Sequence, residues 1–144
     1  MPVRAAQAAV FHALSPGPLP FRDESFDTIT VSCVFHHIIP ADRGAVARDL
    51  VRVLKPGGLL AVFEHNPWNP LTRMIVSRCA LDENAILLTA GECRNLWLRA
   101  GTVSCGVAFF LFFPPRWKVL WPVEDVLAWL PAGAQYVIHA RRAR

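Results

Sequence analysis

The sequence predicts an α/β fold built on parallel strands, and three consecutive segments carry this prediction. Asp27–Val34 is rich in β-branched side chains and has the length of a strand. Ala41–Leu54 has apolar residues at helical spacing, and Leu59–Phe63 is a continuous apolar run. A strand, a helix and a strand joined by short loops form a right-handed crossover between parallel neighbours. With 144 residues, of which 53% are hydrophobic, the chain is expected to form one domain over residues 1–144.

The elements of the first half have recognisable ends. Met1–Leu14 is rich in alanine, and the breakers at residues 15–18 predict a loop after it. Asp27–Val34 lies between polar residues, and its apolar character predicts burial on both faces. In the helix that follows, Pro40 suits the first turn and Lys55-Pro56-Gly57-Gly58 ends it. Its predicted polar face carries Asp42, Arg43, Arg48, Asp49 and Arg52.

The second half alternates helices and strands. Thr89-Ala90-Gly91-Glu92 matches a capping box, in which the Thr and Glu side chains each accept a backbone N–H left unpaired by the first helical turn. Gly101 is expected to end that helix. The remaining predictions are a rigid loop at Asn66–Pro70, helices at Leu71–Cys79 and Val123–Leu130, and strands at Val103–Phe113 and Gln135–Ala140.

Composition bears on the compartment and the partners. The four cysteines lack C-x-x-C spacing and no secretory signal precedes them, so reduced thiols in a cytoplasmic compartment are expected. The most apolar stretch, Val103–Phe113, is well short of the roughly 20 residues of a membrane helix, so no integral membrane span is expected. The formal charge of +4 includes Arg141, Arg142 and Arg144, which we expect to be solvated, with no nucleic-acid partner.

Three short segments together resemble the class I S-adenosylmethionine (SAM) dependent methyltransferase family. They are LPFRDESFD at Leu19–Asp27, VFHH at Val34–His37 and RVLKPGG at Arg52–Gly58. Each is weak alone, but their order and spacing are specific, and the resemblance covers Leu19–Arg144. It implies an incomplete Rossmann-like sheet with parallel strands and an antiparallel C-terminal hairpin. It also implies transfer of a methyl group from S-adenosyl-L-methionine to a small-molecule acceptor.

The sequence departs from the family pattern at its start. The family's glycine-rich D-x-G-x-G-x-G loop is absent, so we expect an N-terminally truncated domain whose SAM binding as this chain alone is weakened. Where the family places an acidic residue for adenine, shortly before LPF, this chain has His12, Ala13, Leu14 and Ser15.

The carboxyl ends of the two parallel strands are the predicted site, because ligands of open parallel sheets bind there. By resemblance, Ala13, Leu14, Ser32, Cys33 and Val34 bind the cofactor. His36, His37, Glu64 and His65 face the substrate, and any of these could be the base. In a structural alternative, the two histidines cap a strand end and Glu64-His65-Asn66 holds the proline-rich loop.

Other groups of residues carry side chains capable of chemistry. Cys33, His36, His37 and His65 offer metal ligands, but adjacent histidines rarely both point inward, so we expect no metal. The carboxylates of Asp23, Glu24 and Asp27 are expected to form a polar turn. The aromatic residues at 109–113 and Trp117 are expected in the core rather than in a lipophilic substrate wall, whereas Trp68 and Trp121 are expected to be partly exposed.

Topology predicts a further partner. The family sheet has strand order 3-2-1-4-5-7-6, which leaves the strand at 27–34 as an open edge when the first strand is missing. We therefore expect a homodimer or a complementing chain at that edge. Two alternatives to an enzyme stay open: a non-catalytic methyltransferase remnant that binds a partner through the open edge, and a lipid-associated module built on the phenylalanine-rich strand.

Overall fold

The computed structural model describes residues 17–114 and 116–144, except for the side chain of Ser104. The prediction for Met1–Leu14 lies outside the described residues. The four strands are β1 (Phe26–Ser32), β2 (Leu54–His65), β3 (Thr102–Phe110) and β4 (Gln135–Arg142). The helices are α1 (Pro40–Val53), α2 (Pro70–Val76), α3 (Ala90–Ala100) and α4 (Trp121–Leu127). None of the helices in the described part of the chain has both the length and the apolar character needed to span a membrane.

The four strands form one open sheet in the order β1-β2-β4-β3. β1 and β2 are parallel, as the crossover through α1 requires, and β4 lies antiparallel between β2 and β3. This confirms the predicted α/β class, with parallel strands and an antiparallel C-terminal pair. Among the described strands β1 is an edge, because it pairs only with β2.

The core lies where α1 and α3 pack against each other and on the sheet. Its largest members are fully buried and come from both layers: Phe35, Leu54, Leu60, Trp97, Tyr136 and Ile138. The ring of Phe35 meets that of Trp97 edge to face at 5.1 Å, which ties the end of β1 to α3. The capping box is confirmed: Thr89 Oγ1 accepts from the Glu92 N–H, and Glu92 Oε2 accepts from the Thr89 N–H. Gly101 ends α3 with φ 106°.

Several predicted boundaries differ from the structure, among them the ends of α2, α4 and β4, and the predictions for β1, β2 and β3 are wrong in detail. β1 is not buried on both faces, since only Val31 is buried among its seven residues; an edge strand has one neighbour to cover it. β2 begins at Leu54 rather than Leu59, because Leu54 pairs with Phe26 and Lys55-Pro56-Gly57-Gly58 is accommodated as a shift of register. β3 ends at Phe110 rather than Phe113. The next residue, Leu111, has a left-handed φ of 58°, which breaks the strand.

Arginines near the site and at the end of the chain are also not where the sequence predicted them. Arg43 is buried rather than on the polar face of α1, and it donates to the carbonyls of Phe35, Ile38 and Ile86. Arg142 is not simply solvated, because it donates to the carbonyls of Arg52 and Leu54 and pairs with Glu24. Long side chains reach carbonyls that lie far away in sequence, which a helical or terminal pattern cannot reveal.

Candidate functional site

The carboxyl ends of β1 and β2 meet at one edge of the sheet. Ser32, the last residue of β1, pairs with Phe63, and the next N–H, that of Cys33, donates to the Phe63 carbonyl at 2.9 Å. Cys33 has φ 53°, a left-handed backbone conformation unusual for a residue with a side chain. The chain therefore turns sharply after β1, into a 3-10 turn at Phe35–His37 that lies beside the end of β2.

Glu64 joins these two strand ends. Its buried carboxylate accepts the backbone N–H of Val34 at 3.1 Å and that of Phe35 at 2.7 Å through Oε1. Its other oxygen, Oε2, accepts from His36 Nδ1 at 2.6 Å. Three donors around one buried carboxylate fix the position of the turn and the ring of His36.

The two adjacent histidines have different environments but share one partner. His36 is 1% exposed and His37 is 42% exposed, and their ring centroids are 4.2 Å apart. Nε2 of His36 lies 3.3 Å from Asp82 Oδ1, and Nε2 of His37 lies 3.5 Å from the same oxygen. Burial lowers the pKa of His36, but the hydrogen bond and negative charge of Glu64, with the charge of Asp82, outweigh it and raise the pKa overall.

Asp82 also lies at the candidate site, where no sequence pattern predicted it. It ends a 3-10 turn at Ala80–Asp82 in the connection between α2 and α3, and it belongs to no motif. A hydrogen bond from the Ile86 N–H to the His36 carbonyl at 2.8 Å holds that connection against the end of β1. The guanidinium group of Arg43 donates to the carbonyl of the same residue, Ile86. Only the folded chain brings Asp82 to His36, 46 positions earlier.

His65 lies on the other side of the buried histidine. The ring centroids of His36 and His65 are 5.1 Å apart, and His65 is partly buried. Burial, and then the charge of His36, lower the pKa of His65. Gln135, the first residue of β4, places its amide nitrogen 3.4 Å from His65 Nδ1 and 3.9 Å from Cys33 Sγ. Gln135 was also missed, since one glutamine at a strand start carries no sequence signal.

The remaining predicted residues divide between the edge and the loops. Ser32, Cys33 and Val34 lie along the strand end, while Ala13 and Leu14 lie outside the described residues. Asn66 supports the structural alternative for its own position, because its amide donates to the carbonyls of Pro131 and Gly133 and accepts the Trp68 N–H.

Among the described aromatic residues, exposure follows the prediction in part. Trp68 is 65% exposed and Trp121 is 52% exposed, as expected. Phe109 is buried in the core, but Trp117, which was also assigned to the core, is 47% exposed. Trp117 follows the end of β3 in an irregular segment, so the strand alternation that predicted its burial does not reach it.

The sheet order, the parallel β1-α1-β2 unit and the antiparallel final pair define a Rossmann-like methyltransferase fold. The methyltransferase domain family matches residues 3–62 of the chain. Two solved structures have the same fold. A SAM-dependent methyltransferase from Thermotoga maritima matches with a TM-score of 0.66 at 23% identity, over 86% of this chain and 59% of that one. One from Archaeoglobus fulgidus matches with a TM-score of 0.66 at 14% identity, over 85% of this chain and 62% of that one.

These matches identify a methyltransferase domain segment over residues 3–62 and a fold shared with SAM-dependent methyltransferases. Among curated relatives, a demethylmenaquinone methyltransferase from Streptomyces griseus is 43% identical over 54 residues, 36% of this chain and 23% of the relative. Its counterpart from Roseiflexus castenholzii is 40% identical over 74 residues, 51% of this chain and 30% of the relative. A ubiquinone/menaquinone biosynthesis C-methyltransferase from Vibrio vulnificus is 40% identical over 58 residues, which are 39% of this chain and 22% of the relative. The matched segments span less than a third of these relatives.

Proposed function

We propose that this chain carries the acceptor-facing part of a SAM-dependent methyltransferase site, and that the acceptor is a small aromatic molecule methylated on carbon. One observation carries the proposal: the ends of β1 and β2 meet, with the buried Glu64 bridging them. In open α/β sheets this edge is where ligands bind. The relatives named as demethylmenaquinone methyltransferases support the choice of acceptor.

The residues of this edge divide into two roles under the proposal. The backbone at Ser32–Val34 would hold the methionine part of SAM, which when bound would supply an electrophilic methyl group. Glu64 and His36 are too buried to reach an acceptor, so they position the turn after β1. The more accessible His37 and His65 face the acceptor.

His65 is the proposed proton acceptor. An acceptor of the demethylmenaquinone kind must be in its reduced, hydroquinone form, because its ring carbon has to act as a nucleophile. That carbon forms the new bond to the methyl group while the sulfur–methyl bond breaks and its electron pair stays on sulfur. The ring proton is then lost to the His65 imidazole, which Gln135 orients through Nδ1.

Two measurements test the proposal. Calorimetric titration of SAM, and of its demethylated product, into the folded chain is expected to give micromolar binding. Transfer of a labelled methyl group to reduced demethylmenaquinone is then expected to fall about 10²–10⁴-fold in H65A. His139, exposed on β4 outside the site, provides the matched control H139A with unchanged transfer. A folded chain that binds neither ligand would contradict the proposal, and full transfer by H65A would exclude His65 as the base.

A further inference from the structure

We propose that His36, His37 and Asp82 form a binding site for a divalent transition-metal ion of the zinc class. One ligand atom from each of the three residues lies within 4.8 Å of the other two. The set consists of two imidazoles and one carboxylate, the donors that zinc accepts in sites with an open fourth position. The site goes beyond the proposed methyl transfer, and neither its geometry nor its test involves SAM.

The unpartnered nitrogen of His36 is the first argument. His36 is 1% exposed, and within the described part of the chain its Nε2 is a buried polar atom without a hydrogen-bond partner. Its Nδ1 contacts Glu64 at 2.6 Å, so in the neutral ring Nδ1 donates and Nε2 carries a lone pair. That lone pair faces the Asp82 carboxylate 3.3 Å away. Two electron-rich atoms at this distance repel each other unless a proton or a metal ion lies between them, and the metal titration below distinguishes the two.

The spacing of the ligand atoms is the second argument. In a tetrahedral zinc site with bonds of about 2.0–2.2 Å, neighbouring ligand atoms lie roughly 3.3–3.5 Å apart. The distances from Asp82 Oδ1 to the Nε2 atoms of His36 and His37 are 3.3 and 3.5 Å. The third edge, between the two histidines, is no longer than 4.8 Å, and the side chain of His37 is 42% exposed and can rotate to shorten it.

The surroundings of the three ligands are already fixed. Glu64 holds the far nitrogen of His36, an arrangement in which a carboxylate orients a metal-ligating histidine and raises its basicity. The Asp82 segment is anchored independently, through the Ile86 N–H on the His36 carbonyl. A surface cavity of about 590 Å³ is lined by Asp82 and its neighbours and gives access to the carboxylate side. The expectation from sequence, that adjacent histidines point apart, does not apply in the tight 3-10 turn, where both rings contact Asp82.

The experiment uses the chain stripped of metal by a chelator. Cobalt(II) is titrated and its visible absorption recorded, zinc affinity is measured by competition with a coloured chelator, and magnesium serves as an ion that prefers oxygen ligands. We expect the chain to bind one equivalent of cobalt with a visible absorption band and to bind zinc more tightly than cobalt. Magnesium is expected not to compete with either ion. H37A and D82N each remove one ligand. Both should weaken zinc binding by more than the roughly 10–100-fold that loss of an outer partner costs.

The controls separate metal ligation from folding and from methyl transfer. D125N on α4 and H139A on β4 change the same residue types away from the site and should leave zinc affinity unchanged. E64Q keeps the shape of the outer partner and should weaken zinc binding about 10–100-fold. Circular dichroism confirms that each variant is folded. The proposal is overturned if the chain does not bind zinc stoichiometrically, or if both H37A and D82N bind zinc as tightly as the unchanged chain. Either result would leave a charged His36 between two carboxylates. Neither result depends on SAM, whose binding is titrated separately.

Discussion

Replacing Glu64 by alanine is expected to remove a large part of the stability of the fold. The carboxylate accepts from three donors, the N–H groups of Val34 and Phe35 and Nδ1 of His36. Leaving a buried donor without a partner costs about 1–3 kcal/mol, and three donors lose theirs here. We therefore expect E64A to lower the free energy of unfolding by about 3–6 kcal/mol, against a total of about 5–15 kcal/mol for an ordinary domain.

Urea unfolding followed by far-ultraviolet circular dichroism measures this change. E64Q should lose only about 1–2 kcal/mol, since its amide oxygen still accepts the two backbone N–H groups. Glu124 is a matched control: its carboxylate also accepts two backbone N–H groups, those of Leu111 and Phe113, but closer to solvent. Water can replace it there, so E124A should lose less than about 1 kcal/mol. A loss below about 1 kcal/mol in E64A would refute the reasoning, because the desolvation of Glu64 would then offset its hydrogen bonds.

Three further predictions concern other parts of the fold. A Cβ at Gly133 would lie 2.5 Å from a backbone oxygen of β3, whereas one at Gly91 meets nothing within 4 Å. G133A should therefore destabilise by about 1–3 kcal/mol, whereas G91A in α3 should be neutral or stabilise by up to about 1 kcal/mol, as urea midpoints will show. Hydrogen bonds from the backbone and hydroxyl of Thr89 hold the pKa of Glu92 below its usual 4.5. The capping box therefore stabilises the fold above that pH, and this stabilisation is lost as the pH falls through the lower pKa of the folded state. E92Q removes the titrating group and should flatten acid unfolding curves in this range, and an unchanged curve would contradict the assignment. Burial raises the pKa of Cys93 to about 11, so this thiol should react with a disulfide reagent at pH 8 only after unfolding. Peptide mapping separates it from the partly exposed Cys33, Cys79 and Cys105, and rapid labelling of Cys93 in the folded chain would disprove its burial.

Local patterns were sufficient for the order and type of most elements. The helical spacing of α1, the capping box of α3 and the apolar run of β2 each act within a dozen residues, so the sequence displays them directly. The family segments added the sheet class and the edge at which the site lies. Ser32, Cys33, Glu64 and His65 could be placed there because the ends of parallel neighbours coincide.

The ends of strands and the partners of buried polar groups depended on contacts between distant segments. β2 starts at Leu54 only because Phe26 pairs with it. β1 stays largely exposed because it pairs with only one neighbour, β2, among the described strands. No periodicity in α1 distinguishes Arg43 from the exposed arginines of the same helix. Its burial follows from three carbonyls that surround its guanidinium group in the folded chain.

The amino-acid sequence by itself determined the α/β class, the parallel crossover and the histidine and glutamate residues at the strand ends, because these follow from local spacing and strand direction. Tertiary structure alone decided which of these side chains are accessible and what they face. Glu64 and His36 are buried at the strand ends, and Asp82 and Gln135 lie beside these residues although they come from segments without a motif. The physical reason is that burial and charge pairing depend on distances across the chain, which only packing sets.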